Sequence, residues 1–223
     1  MLKADLHVHT EYSFDCATSL ESIIDRCLKR GINCVAIADH GTIAGALELK
    51  DIAPFKVVVA EEILTPIGEI MGLFLTEEIP SGIPAEEAIA RIKAQGGLVG
   101  LPHPFDYMRG INQKLQSLDS LAPDIDIVEV FNARALPLLF TDRKARRFAA
   151  KHGLLGSAGS DAHTPHEIGR AYVEMREFNG KEEFCSALAE ASICGHRSCP
   201  LVHVPTAWRT LLRSLKIVKK SPR

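Results

Sequence analysis

The chain has 223 residues, 46% hydrophobic and 24% charged, and its 26 Lys and Arg against 28 Asp and Glu leave a formal net charge of -2. This is the composition of an ordered protein with a sizeable core, and α/β barrels of this length fold as one unit, so disorder is excluded for most of it. No window reaches the ~18 uninterrupted apolar residues that a membrane span needs, and no basic region followed by an apolar stretch opens the chain, so a cytoplasmic protein starting at Met1, without a membrane partner, is expected.

Apolar, β-rich runs recur along the chain with helical patterns between them, which predicts a mainly parallel sheet wrapped by helices. The expected strands are Ala4–His9, Cys34–Asp39, Val57–Glu62, Ile70–Leu75, Leu98–His103, Ile127–Asn132, Leu155–Ser160 and Ala171–Met175. After the first strand, Thr18 with Glu21 forms a candidate capping box for a helix with Leu20, Ile23, Ile24, Cys27 and Leu28 on one face and Gly31 at its end. A second helix is expected over Pro84–Gln95, with Glu86 and Glu87 at the positive end of its dipole, and a basic one over Arg143–His152. The six cysteines form no CxxC pair and read as buried or incidental thiols.

Polar residues fall at particular places in this pattern. DLHVH, ADHG, AEE, LPHP and GSDAH each close an apolar run, which gathers His and carboxylates at the C-terminal ends of strands, where α/β folds build their active sites. Alternation in Leu6-His7-Val8-His9 points both imidazoles to one side of the first strand. Taken singly, these residues have ordinary readings: His7 and His9 as a buried pair satisfied by backbone, Asp15 as a loop or capping residue, Asp39 or Thr42 as a strand-to-helix cap. His103 fits such a reading less well, because Pro102 and Pro104 remove backbone donors and fix an extended turn. Together, the acids and imidazoles have few Lys or Arg to balance them, and divalent cations would supply that balance. Nitrogen and carboxylate ligands without thiolate suit Zn, Mn or Fe in a catalytic site.

The chain resembles the PHP (polymerase and histidinol phosphatase) metallophosphoesterases through DLHVHTEYSFD, AIADHGT, AEE, LPHPFD, EVFNAR and GSDAHT, in the order that family uses, over residues 5–164. The resemblance implies an α/β fold, a distorted seven-stranded (β/α) barrel of TIM-like type, with two to three divalent metal ions at the C-terminal strand ends. Position by position it implies His7, His9, Glu62 and Asp161 as ligands of one metal, Glu62 bridging to a second held by His103, and Asp15, His40 and His163 around a third. The second metal's remaining ligand is a histidine in that family. Here Glu69 of Glu69-Ile70-Met71-Gly72 occupies the place, and a carboxylate there favours a harder ion such as Mn or Fe, or weakens the site. Spacing and alternation favour Glu62 over Glu61 as the bridge.

The activity so implied is phosphate-ester hydrolysis by a metal-bridging hydroxide, with catalysis resting on positioning and electrostatics. Arg134, which follows a strand end, is expected beside the phosphate, ahead of Arg143 and His166, and Asp161 and His163 are expected to act in catalysis as well as in metal binding. Family members that cleave nucleoside bisphosphates or trim RNA ends carry an inserted domain, whereas only 57 residues (104–160) separate His103 from Asp161 here. That implies an open site for a nucleotide, a nucleic-acid end, a phosphopeptide or a small phosphomonoester. Two rival readings are an amidohydrolase-like C–N hydrolase, which also uses HxH and a late Asp, and a non-catalytic metal-binding or regulatory subunit. Asp15, the ADHGT block and the lack of an evident strand-end Lys argue against the first; the nearly complete ligand set argues against the second.

The domain is expected to span residues 1–200, followed by a basic amphipathic tail over 201–223. From Ala191 to Arg223 there is no acidic residue and seven Lys or Arg. A helix over Pro205–Lys220, capped by Thr206, would place Trp208, Leu211, Leu212 and Leu215 on one face and Arg209, Arg213, Lys216 and Lys220 on another. It reads either as a docking helix with a solvated basic side or as an electrostatic guide for nucleic acid. Oligomeric state is left open.

Overall fold

The apolar runs become nine strands in a computed structural model that describes residues 1–106, 115–135 and 141–214. They are β1 Leu2–Val8, β2 Cys34–His40, β3 Lys56–Thr65, β4 Gly68–Leu73, β5 Leu98–Leu101, β6 Ile127–Asn132, β7 Leu155–Gly159, β8 Ala171–Met175 and β9 Ser192–Gly195. The helices are α1 Leu20–Arg30, α2 Ala44–Ile52, α3 Ala85–Ala94, α4 Leu115–Leu121, α5 Thr141–His152, α6 Gly180–Ala189 and α7 His203–Ser214. All nine strands lie in one sheet, in the order β7-β6-β5-β4-β3-β2-β1-β8-β9. Past the end of β7 the chain returns to β1 through a parallel bridge between Val8 and Ala162, with Asp161 N–H donating to His7 O at 2.8 Å and His9 N–H to Ala162 O at 3.0 Å. The sheet is thereby a nearly closed, barrel-like α/β structure, and its nine strands exceed the seven expected, with β8 and β9 extending it beyond β1.

The sheet is less parallel than its sequence pattern predicts. β1–β2, β2–β3, β5–β6 and β6–β7 pair parallel, but β3–β4, β4–β5, β1–β8 and β8–β9 pair antiparallel. The physical reason at β4 is a tight turn: Thr65 and Gly68 pair across Pro66-Ile67, and Thr65 Oγ1 donates to Gly68 O at 2.6 Å, where a parallel neighbour would need a long crossover.

Alternation sorts the core into two layers. On β2 and β3, Val35, Ile37, Val57 and Val59 face the helices with Ile23, Leu49 and Ile92, while Ala36, Ala38, Val58 and Ala60 face a second cluster with Met71, Leu73, Phe178 and Phe184. Helix α1 begins one residue later than the sequence suggests. Ser19, not Thr18, caps it by accepting from Ser22 N–H, because Thr18 Oγ1 is committed to His163 O at 3.1 Å; Gly31 ends it in the left-handed region as expected. Helix α7 likewise begins at His203, so Thr206 lies inside it instead of capping it, and the expected helix end over 215–220 lies outside the described residues. Among the described residues no helix is long and apolar enough to cross a membrane.

Candidate metal centre

The strand ends gather at one edge, and β1 reaches it irregularly. Its register to β2 shifts by one residue between Asp5 and Val8, and in consequence Leu6 joins the inner cluster while Val8 joins the helix side. His7 and His9 do meet at one place, and the β-bulge shows instead in Leu6 and Val8, which alternation would put on one side and which lie on opposite ones. From β2 comes His40 and from β3 Glu62, which keeps the inner parity of Val58 and Ala60; Glu61 turns outward and accepts from Ile79 N–H at 2.9 Å. Because β4 runs antiparallel, its first residues lie at this same edge, and that is how Glu69 arrives there. His103 follows β5, and Asp161 and His163 follow β7.

These nine side chains form four overlapping groups whose donor atoms lie within 4.8 Å of one another: His9, Asp15, His40 and His163; His7, Glu62 and His103; His7, His9 and Asp161; His40, Glu62 and Glu69. His7 Nε2 stands 3.1 Å from His9 Nε2 and 3.3 Å from Glu62 Oε2, and His9 Nε2 stands 3.5 Å from Asp161 Oδ1. On the other side of Glu62, Oε1 is 3.0 Å from His103 Nε2, which is 3.5 Å from Glu69 Oε2. Asp15 Oδ2 lies 3.0 Å from His163 Nε2 and 3.6 Å from His40 Nε2, and Ser13 Oγ donates to Asp15 Oδ1 at 2.7 Å. His9 thus borders the Asp15 group and Glu62 borders His40, so the three implied ligand sets form one contiguous centre.

The donor set fits divalent cations. Two imidazole nitrogens at 3.1 Å repel unless a proton or cation lies between them, and the N···N edge of a tetrahedral shell with zinc–nitrogen bonds of ~2.0–2.1 Å is about 3.3 Å. His103 Nε2 and Glu62 Oε1 are both buried and stand 3.0 Å apart, a spacing that a shared ion would also fit. Three imidazoles are held by the nitrogen that faces away: His7 Nδ1 meets Glu129 Oε1 at 3.2 Å, His40 Nδ1 meets Glu62 O at 3.3 Å and His163 Nδ1 meets Asp161 O at 2.9 Å. Each acceptor leaves Nε2 to the centre, as metal-ligating histidines require.

Charge follows from this packing. Burial would lower His9, but its contacts with Asp161 and Glu62 raise it to about 10, and Glu62, Glu129 and Asp161 likewise overcome burial to hold His7 well above the usual histidine range. Glu62 is held well below the usual carboxylate range, because the neighbouring His7 and His40 outweigh its burial. Burial and the charge of His9 take His163 down to about 4. Beside the ionised Glu62, His7 and His9 carry protons that a divalent ion would displace.

Behind the nine stand residues that sequence reasoning missed. Glu129 and Asn132 on β6 back His7, His103 and Asp161. Asp39 clamps the loop after β1 by accepting from Thr10 N–H and Thr10 Oγ1, both at 2.6 Å. Asp5 accepts from Ser160 N–H and Gly169 N–H, both at 2.8 Å, and its burial pushes it up to about 6. The available signal was a carboxylate at a buried strand position, Glu129 in EVFNAR and Asp5 in DLHVH, but an isolated one is not distinguishable from a surface acid. Two of the three non-glycine residues with positive φ among those described, His103 (26°) and Asp161 (55°), are in the centre, so backbone strain is concentrated where ligands turn inward. Gly159 gives His7 and Glu129 room: a Cβ there would sit 2.3 Å from His7 Cβ and 2.8 Å from Glu129 Oε1.

The structure places Arg134 differently from the expected open position beside substrate. It is buried, with Nη2 donating to Val202 O at 3.1 Å and Thr206 Oγ1 at 3.0 Å, Nη1 to Asp161 O at 3.4 Å, and Nε 3.4 Å from Glu167 Oε1. Its donors tie the segment around residue 200 to the back of the centre. Arg197 Nη1 donates to Asn132 O and Ala135 O, both at 2.7 Å, and Ser198 N–H donates to Ala133 O at 2.8 Å, so residues on both sides of position 200 pack on the end of β6.

Comparison with known proteins gives the same picture. A model described as the PHP domain matches residues 5–98, and one described as PHP-associated matches residues 142–193. Two Methanocaldococcus jannaschii proteins, both described as uncharacterised, are similar in sequence: one is 42% identical over 146 residues, covering 59% of this chain and 82% of that protein, and the other is 37% identical over 184 residues, covering 80% and 72%. Among solved structures, a two-domain Bacteroides vulgatus protein described as containing a predicted PHP-like metal-dependent phosphoesterase aligns with a TM-score of 0.70 at 16% identity, over 93% of this chain and 69% of that one. PsfC from Pseudomonas syringae aligns with a TM-score of 0.67 at 16% identity, over 95% and 98%. An amidohydrolase from Chromobacterium violaceum aligns with a TM-score of 0.59 at 19% identity, over 74% and 89%. At these identities the structures share the fold.

Proposed function

The chain belongs to the PHP domain family, and from that premise we propose that it is a metal-dependent phosphoesterase. The observation that carries the reading is the convergence of His7, His9, Asp15, His40, Glu62, Glu69, His103, Asp161 and His163 at one sheet edge, in overlapping groups with both oxygens of Glu62 engaged. His7, His9, Glu62 and Asp161 would hold one ion, Glu62 with His103 and Glu69 a second, and Asp15, His40 and His163 a third. When bound, such ions acidify water at neutral pH and neutralise phosphoryl charge. The chain's own residues orient the ligands and keep them dry: His7, His9, Glu62, His103 and Asp161 are all nearly inaccessible to solvent. His163 is fixed at both ring nitrogens, by Asp161 O and by Asp15, which holds it at the border between the groups. Glu69, standing where the family has histidine, makes the second site richer in oxygen and favours Mn or Fe. A nucleotide, a nucleic-acid end or a small phosphomonoester is the proposed substrate class.

The test is metal analysis of the purified protein together with hydrolysis of p-nitrophenyl phosphate, its bis-ester and a nucleotide panel in Mn, Fe and Zn. Two or more ions per chain with metal-dependent phosphate release is the expected result, lost in His103→Ala. Fewer than two ions and no phosphate released with any metal would refute the reading, and amide or lactam hydrolysis in its place would move the chain to C–N chemistry.

A further inference from the structure

Strand β6 gives no ligand to the centre, yet it touches the residues that do. Glu129 Oε1 meets His7 Nδ1 at 3.2 Å, while its Oε2 accepts from His103 N–H and from Asn132 Nδ2, both at 2.8 Å. Asn132 Nδ2 also reaches Asp161 Oδ2 at 3.2 Å, and Asn132 Oδ1 accepts from Arg134 N–H at 2.9 Å and Ala135 N–H at 3.1 Å, which fixes the amide's orientation. The two partners of the central contact both sit at register shifts, His7 between Asp5 and Val8 on β1 and Glu129 at the shift that precedes Phe131 on β6. A bulge re-aims a side chain, and here one on each strand aims an imidazole and a carboxylate at each other across Gly159, where any Cβ would intrude. His103 and Asp161, held by the same Glu129–Asn132 pair, are the two ligands with positive φ.

From this geometry we infer that Glu129 is the positioning residue of the centre: it holds His7 in the tautomer protonated at Nδ1, so that Nε2 faces the metals, it holds the His103 backbone in its strained turn, and it orients Asn132, which reaches the Asp161 carboxylate. A carboxylate accepts and cannot donate, so the proton of the Glu129–His7 contact belongs to the imidazole. The inference rests on the metal-binding reading above and adds a residue that this reading does not need.

The discriminating variant is Glu129→Gln. Its carboxamide has nearly the same shape and keeps an oxygen for His103 N–H and Asn132, but it presents an NH2 group to His7 Nδ1, which favours the tautomer protonated at Nε2, and that one cannot ligate through Nε2. The affinity for Zn2+, measured by chelator competition, is expected to fall about 10- to 100-fold, with the circular dichroism spectrum of the metal-free protein kept near wild type to show that the variant folds. Packing alone would leave the affinity of this near-isosteric variant unchanged, and Zn2+ binding at wild-type strength overturns the inference. A second readout needs no variant: long-range proton–nitrogen correlation on the Zn2+-loaded wild type should show His7 protonated at Nδ1, and ligation through Nδ1 would overturn the inference as well. Wild-type protein that binds Zn2+ but releases no phosphate counts against the phosphoesterase reading alone, whereas wild-type protein that binds no Zn2+ removes both.

Discussion

Gly159→Ala is the smallest change that should disturb the centre without replacing a proposed ligand. The new Cβ would lie 2.3 Å from His7 Cβ and 2.8 Å from His7 N. Carbon atoms pack at ~3.5–4.0 Å, so His7 and the end of β7 must separate by more than about 1 Å. Neither side gives way easily: His7 O accepts from Asp161 N–H at 2.8 Å, His7 Nδ1 is held by Glu129, and Gly159 pairs with Asn132 in the β6–β7 ladder. Overpacking of this kind costs about 1–3 kcal/mol, and contact with backbone puts this site in the upper half of that range. For a domain of this size each kcal/mol moves the melting temperature by about 2–4 °C, so the metal-free variant should melt roughly 4–12 °C lower. Moving His7 should also weaken Zn2+ binding by at least about tenfold, through the loss of its second-layer partner. Thermal scans in chelator and a competition titration measure both. A variant that melts within about 1 °C of wild type and binds Zn2+ equally well would refute the steric argument.

Four further outcomes follow from the charges and contacts. With His9 raised to about 10 and His7 also raised, the metal-free centre carries protons near neutrality, so loading Zn2+ at about pH 7 must release them and affinity should climb with pH; calorimetric heats that do not depend on buffer ionisation enthalpy would contradict this. His9 stabilises the metal-free fold fully below the ordinary histidine value, and that contribution fades as pH rises toward about 10; His7, also raised, acts in the same direction. Glu61 is an acid pushed up to about 8, chiefly by burial, so it favours the fold when protonated and its contribution is lost as pH rises from the ordinary carboxylate range to about 8. Denaturation of chelated protein should therefore show Glu61→Gln gaining on wild type across that window, and a pH-independent difference would count against it. Ending the chain at Gly195 removes the Val202, Thr206 and Arg197 contacts and leaves buried Arg134 with fewer acceptors, so the shortened protein should melt lower; an unchanged melting temperature would show that these contacts carry no stability.

How far the sequence could be read depended on the range of the interaction. The end of each apolar run announced a polar residue, and the structure brings eight of the expected ligand side chains to one edge because parallel strands share a direction, while Glu69 joins them from the start of antiparallel β4. Glu69 was legible only through resemblance; that it opens a strand running the other way depends on a hairpin turn at Pro66-Ile67. The bulge in β1 left no mark on Leu6-His7-Val8-His9, since alternation and a one-residue shift both place the two imidazoles inward. Thr18 and Ser19 are equally good caps in isolation, and a carbonyl 145 residues away decided between them. Arg134 shows the same limit from the other side: a cation after a strand end looks available until the segment around Val202 claims it.

The bridge from Ala162 back to Val8 also sets an order of events during synthesis. A chain emerging from the ribosome can pair β1, β2 and β3 early, since these are neighbours in sequence, but Asp161 and His163 appear only when about three quarters of the protein has been made. Until then His7 and His9 face Glu62 without Asp161, and Asp15 lacks His163. On the proposed reading, full metal loading would then follow ring closure, and a nascent chain halted before residue 161 should hold its ions loosely.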